Sequence, residues 1–399
     1  MLIKRKEFIQ LGSLATTTLM LPKFLKAFER PHAVPPGNKV LVVLQLSGGN
    51  DGLNTVIPVR NDLYYKSRPQ LGIVKDKALQ ITDEVSLHPS LAAFREIYDE
   101  GGLGILNSVG YPNPDRSHFR SMDIWQTGTE SDRVIQTGWL GRYLDAQCQG
   151  CDKPTQALEI DDVLSLALKG EKLRGIAFKD PKRLYNTSNQ RFFHEISDQH
   201  AIHNSETPVD YLYKTMAETL SSADYIYQQT RLRPSIAPYP KTGLGKSLQT
   251  IATLIFSDIN TKVYYVSLGS FDTHVNQQNQ QEKLFTEMSD AVKAFVDDLK
   301  SNNRFQDLML MTFSEFGRRV SQNASGGTDH GTANNMFLVS GGLKQKGLIN
   351  SMPDLSDLNE GDLKYRIDFK EVYATVLKNW LSADDQSILG QSYKKLDFI

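Results

Sequence analysis

Val40-Leu41-Val42-Val43-Leu44-Gln45-Leu46, running straight into Ser47-Gly48-Gly49-Asn50-Asp51-Gly52, is the stretch that decides the fold. Apolar side chains at consecutive rather than alternate positions predict a strand covered on both faces, as in a parallel sheet. The glycines that follow let backbone turn sharply and approach a ligand closely. The strand therefore delivers a loop, and Asp51 with it, to a site. Asp51 reads equally well as a metal ligand or, with Asn50, as the Asx-type cap of the next helix.

Working outward, the same grammar repeats. His88-Pro89-Ser90 opens a helical pattern (Leu91, Phe94, Ile97, Tyr98) that stops at Gly101-Gly102, and Leu103-Gly104-Ile105-Leu106 is the next strand, completing a βαβ unit. Helices are expected from Ser117 to Trp125, over 245–258, over 282–300 and over 369–381, with strands over 262–268, 307–313 and 336–339. Alternating strands and helices make a doubly wound parallel sheet. Residues 150–240 fit this alternation least well and are expected to form an insertion or cap, including a long amphipathic helix near Tyr211 to Arg231.

The chemistry-bearing residues sit where these strands end. After the second segment come Arg116-Ser117-His118, at the expected start of a helix whose free amides attract anions. Phe271-Asp272-Thr273-His274 follows the strand at 262–268, and Ser314-Glu315 follows the strand at 307–313. A Gly-rich loop then carries Asp329-His330-Gly331. Open parallel sheets place their ligand crevice at the carboxyl ends of strands, and Asp, Glu and His gathered there suit hard divalent cations. Asp51, Asp272, His274, Glu315, Asp329 and His330 are accordingly the metal-ligand candidates. Asp272 is equally readable as a partner that orients His274, and Glu315 as a helix-start acid paired with Arg318 or Arg319. Ser117 and His118 are the catalytic candidates, and Arg116 and Arg120 the anion clamps. His88 reads as a helix-start or loop-packing residue. A divalent ion, whether zinc, manganese or calcium, would stabilise charge in a displacement at phosphorus or sulfur.

Across the 399 residues, 45 basic and 46 acidic side chains balance, which gives no bulk electrostatic reason to bind nucleic acid. Residues 1–30 are different in kind: Lys4-Arg5-Lys6 precedes an apolar, hydroxylic run from Leu11 to Leu21, the build of an export signal and too short for a stable membrane span. Arg5-Lys6-Glu7-Phe8-Ile9 resembles a twin-arginine signal with lysine in the second arginine's place. A Pro-rich linker over 31–38 leads into the main domain, 39–399. Cys148 and Cys151 are too few for a zinc set of their own and read as a small local disulfide or two free thiols. A periplasmic or secreted protein is expected.

In their order along the chain, Gly-Gly-Asn-Asp-Gly, Ser-His-Phe before Trp-x-Thr-Gly, Gly-x-Phe-Asp-Thr-His, Ser-Glu-Phe-Gly-Arg and Asp-His-Gly resemble the exported bacterial family known as domain of unknown function 1501, from about residue 38 onward. That family is similar to the alkaline phosphatase and sulfatase superfamily. The resemblance implies a three-layer α/β/α sandwich with a mostly parallel sheet, one or two metal ions and a nucleophile at a helix start. Asp51 would match the first-strand ligand, Asp272 and His274 the second ligand loop, and His330 the late metal-binding histidine. Two positions depart from the pattern: His118 stands where the superfamily nucleophile is expected, beside Ser117, and Phe316 replaces a His or Asn.

Two functions are then expected to compete. One is an exported metal-dependent hydrolase of small phosphate or sulfate esters. The other is a non-catalytic binding or assembly protein of the cell envelope, with an envelope protein as its partner, that keeps the fold. A nucleotide-binding oxidoreductase is excluded by spacing, since Ser47-Gly48-Gly49 lacks the G-x-G-x-x-G entry to a helix.

Overall fold

A computed structural model describes residues 39–147, 154–190 and 220–399. The expected export signal, the linker and the two cysteines lie outside the described residues, as does the first part of the helix expected near Tyr211, of which 220–230 is helical.

Val40–Leu46 is the central strand β1, every residue buried. Its alternating side chains serve two cores, as a strand covered on both faces must. Val42 and Leu44 pack in one cluster with Phe94, Ile251, Phe285 and Val292, whereas Leu41 and Val43 join Ile124, Trp125, Trp139 and Tyr373 in another. The helices behind the first cluster are α2 (Ala92–Asp99), α5 (Gly243–Phe256) and α6 (Gln277–Ser301); behind the second are α3 (His118–Thr127), α4 (Trp139–Gln147) and α7 (Phe369–Thr375). A short helix, α1 (Gly52–Thr55), follows the first loop. The fold is thus α/β, with helices on both faces of one sheet. In α6 the buried residues Phe285, Met288, Val292, Phe295, Val296 and Leu299 recur at the three-and-four spacing of a helix with one apolar stripe.

Among the described residues the sheet has nine strands. Besides β1 they are β2 (Leu103–Gly110), β3 (Ala157–Glu159), β4 (Ile176–Ala177), β5 (Val263–Leu268), β6 (Leu308–Phe313), β9 (Asn334–Val339), β10 (Gly347–Leu348) and β11 (Ile367–Asp368), while β7 (Arg318–Gln322) and β8 (Thr328–His330) form a separate antiparallel hairpin. The order across the sheet is β10-β2-β9-β6-β1-β5-β3-β4, with β11 also paired to β2. Strands β5 and β6 flank β1 in parallel register, Leu46 opposite Leu268 and Gln45 opposite Phe313. Their carboxyl ends therefore finish at one level, and the loops carrying Asp51, Asp272 and Glu315 start side by side.

Three features differ from the sequence reading. Strand β9 runs antiparallel to both neighbours, so it starts at the rim where the parallel strands end. The Gly-rich loop is a hairpin closed by Arg318 opposite His330; its glycines and asparagine disguised two short strands. Within the stretch expected as an insertion or cap, β3 and β4 extend the central sheet, being too short to show a period.

His88 lies between α2 and α6, buried against the Phe285 ring at 4.9 Å, with Nδ1 accepting from Ser90 N–H. Burial pushes its pKa from 6.5 down to about 4. A ring held neutral in the fold contributes stability above pH 6.5 that is lost as pH falls towards 4, because the unfolded chain takes up the proton first. Denaturant titrations across that window are expected to lose about 3 kcal/mol, and His88→Gln to flatten the dependence.

Candidate metal centre

Three imidazole rings and one carboxylate converge above the carboxyl rim. His118 is the first residue of α3, Asp272 and His274 lie in the loop after β5, and His330 ends β8. Ligand atoms of His118, Asp272 and His330 lie within 4.8 Å of one another. His274 joins them, its Nε2 2.9 Å from His330 Nε2 and 3.1 Å from Asp272 Oδ1.

The hydrogen bonds behind the rings fix which nitrogens face inward. His118 Nδ1 lies 2.8 Å from Glu315 Oε1, His274 Nδ1 3.2 Å from Asp329 Oδ1, and His330 Nδ1 2.9 Å from the Arg116 carbonyl. Carboxylate and carbonyl oxygens only accept, so each Nδ1 carries the proton and, in a neutral ring, each Nε2 presents a lone pair. The His274 and His330 lone pairs then face each other, with Arg318 Nη1 3.5 Å from His274 Nε2, and all three Nε2 atoms approach Asp272, whose Oδ1 is 3.3 Å from His330 Nε2 and whose Oδ2 is 3.5 Å from His118 Nε2. The His118 Nε2 is buried without a hydrogen-bond partner among the described residues. Lone pairs facing each other repel unless a cation sits among them.

The dimensions fit one. Tetrahedral donors about 2.1 Å from zinc lie about 3.4 Å apart, close to the separations of His274, His330 and Asp272. Burial lowers the pKa of His330, which keeps the ring in the neutral form that a ligand needs. Asp272 is held below the usual carboxylate range: burial raises its pKa, but the hydrogen bond and positive charge of the Arg318 guanidinium beside it outweigh that.

Arg318, which sequence reasoning treated only as a partner for Glu315, braces the centre. Its guanidinium is fully buried; Nε donates to Gly49 O at 2.6 Å, Nη1 to Thr328 O at 2.8 Å, and Nη2 to Phe271 O and Asp272 Oδ1 at 2.9 Å each, as well as to Gly48 O. One side chain thus ties the β1 loop, the β5 loop and the hairpin together. Arg318, Val320 and Gln322 alternate on one face of β7, with Arg318 and Val320 buried, a pattern too short to announce a strand in the sequence.

Glu315, 2% exposed, does not pair with either arginine; it accepts from His118 and, at 2.8 Å, from Gly48 N–H. That amide can reach it because Gly48 adopts φ +121 and a Cβ there would lie 2.3 Å from Asp272 N. Gly48→Ala is expected to displace the Asp272 loop and loosen metal binding, visible as weakened zinc affinity in a competition titration.

The structure places the remaining candidates differently. Asp51 caps α1 by accepting from Leu53 N–H, and its Oδ2 also accepts, at 2.5 Å each, from Arg68 Nη1 and Gln277 Nε2. Its charge is balanced inside the protein, with both partners of the pair essentially unexposed. Arg116 is ion-paired with Asp362, and Arg120 donates to the Ser131 and Arg133 carbonyls. Ser117 is the exposed N-cap residue of α3; its side chain makes no capping bond.

Residues 100–393 match the family described as "Protein of unknown function (DUF1501)". The chain belongs to that family. No curated protein matches this DUF1501 chain in sequence. Among solved structures it is similar to the PsFucS1 sulfatase from Pseudoalteromonas sp. (13% identity, 94% of this chain and 77% of that one, TM-score 0.39). It is also similar to the zinc complex of the C-terminal periplasmic domain of EcEptC from Escherichia coli (11% identity, 77% and 75%, TM-score 0.37), and to a protein in the alkaline phosphatase superfamily from Vibrio parahaemolyticus (10% identity, 91% and 69%, TM-score 0.37). Likenesses this distant carry no residue's role across. No helix among the described residues of the DUF1501 chain is long and apolar enough to cross a membrane.

Proposed function

We propose that this chain is an exported hydrolase of phosphate or sulfate esters that works with one divalent metal ion, held by His118, Asp272, His274 and His330. The observation that carries the reading is the convergence of three Nε2 lone pairs on Asp272 with every Nδ1 tied behind. Three imidazoles and one carboxylate favour zinc over manganese or calcium, which prefer oxygen donors. One ion is proposed because Arg68 already neutralises Asp51, and Arg318 already supplies positive charge beneath Asp272.

The bound ion would supply Lewis-acid polarisation of an ester oxygen. Around it, Glu315 and Asp329 hold the His118 and His274 rings in their tautomers, and Arg318 holds Asp272 in place. The first amides of α3 are uncapped by Ser117 and offer donors to an anionic ester beside the centre. Ser117, whose hydroxyl has no hydrogen-bond partner among the described residues, is assigned the task of positioning that ester. His118, with Nδ1 bonded to Glu315 and Nε2 facing Asp272, acts as a ligand rather than a nucleophile.

A second reading, metal-assisted binding or assembly in the envelope without turnover, is favoured by the fate of Arg116 and Arg120, both already occupied. Elemental analysis of the purified chain, followed by a screen of aryl and sugar phosphates and sulfates, separates the two. About one zinc per chain with ester turnover supports the hydrolase; one zinc without turnover supports the binding role; a metal-free, well-folded chain overturns both.

A further inference from the structure

A cleft of about 580 Å³ opens beside the metal centre, within the range of small-molecule sites. The two share a wall, because Phe316 lines the cleft and packs on the rings of His118 and His330 at 4.9 and 4.6 Å. The cleft runs between the chain leaving β2, the Thr332–Ala333 turn after His330, and the stretch around 359–365.

Its chemistry is neutral. Among the described residues no acid lines it, and the one cation that does, Lys364, is paired with Asp357. The Thr332 hydroxyl donates to Leu363 O, and the Tyr111 hydroxyl is shared between Ser121 and Asp115 N–H. What remains for a guest is the Tyr365 ring, 41% exposed, and the carboxamides of Asn113 and Asn359, which have no hydrogen-bond partner among the described residues. Asn113 also sits at φ 52, a left-handed conformation that carries a cost for any residue with a Cβ.

A carboxamide donates and accepts at once, as a sugar hydroxyl does, and an aromatic face covers the C–H face of a sugar ring. We infer that this cleft receives the sugar part of the substrate, a neutral hydroxyl-rich ring whose ester group reaches the metal centre past Phe316. The inference rests on the ester-hydrolase reading for its place in a reaction, but saccharide binding is measurable without turnover.

Saturation-transfer NMR with maltose, cellobiose and lactose, on the full chain loaded with zinc, tests it. Signal transfer from at least one of these probes is expected in the parent. It should weaken at least tenfold in Tyr365→Ala and in Asn113→Gly, the latter relieving the positive φ and so preserving the fold, with zinc content unchanged in both. No transfer from any of the three sugars, or transfer equal in parent and variants, overturns the inference. The two proposals fail separately. Hydrolysis of aryl esters without saccharide binding removes the sugar cleft alone, and saccharide binding without turnover of any ester removes the hydrolase alone.

Discussion

His330→Ala is expected to strip the metal from the purified chain, taking zinc content from about one per chain to near zero and ester turnover to background. His330 Nε2 lies 2.9 Å from His274 Nε2 and 3.3 Å from Asp272 Oδ1, so its removal takes away the donor common to both halves of the cluster. Replacing a residue behind the ligands is a milder lesion. Glu315→Gln keeps an oxygen within reach of His118 Nδ1 but removes the charge that orients the ring, and such outer partners are worth roughly 10–100-fold in metal affinity. Competition titration with a chromophoric chelator should therefore rank parent, Glu315→Gln and His330→Ala in falling order, while circular dichroism shows the fold retained. Equal zinc binding in parent and His330→Ala would sink the proposed centre.

Arg68→Ala should act on stability instead. The guanidinium lies fully buried against Asp51, held also by the Val320 and Arg319 carbonyls and the Asn54 side chain. Removing one partner of a buried pair leaves the other charge uncompensated, at about 3–5 kcal/mol. Asp51→Ala should cost a similar amount for the mirror reason, and the two losses should fall well short of additive in the double variant. Urea unfolding of chelator-treated protein makes the comparison independent of metal. If Asp51→Ala emptied the centre of zinc while leaving the metal-free chain as stable as the parent, Asp51 would be a ligand and not a structural anion.

The contrast between Asp51 and His330 shows what the sequence carried and what it withheld. The runs 40–46, 262–268 and 307–313 stated their strands plainly, because central parallel strands must be apolar at almost every position. The residues at their carboxyl ends followed from that. What a linear reading could not supply was the partner of each charge. Asp51 looks alike in sequence whether it meets an ion or a guanidinium seventeen residues on. Glu315 has Arg318 and Arg319 as near neighbours in sequence yet bonds to His118, 197 positions away. The hairpin of β7 and β8 was concealed for another reason: five residues and three leave too few alternations for a period to emerge.

The antiparallel course of β9 has a further consequence for how the molecule comes into being. Because β9 begins at the rim, the last donor, His330, arrives only after β1, β2, β5 and β6 have all been made, with donors drawn from positions 118, 272, 274 and 330 of a 399-residue chain. A nascent or truncated polypeptide ending before residue 330 holds an incomplete set, so the proposed metal capture requires the chain through His330. The ion, binding the folded form and not its fragments, would act as a late quality mark that stabilises by mass action whichever copies have closed correctly.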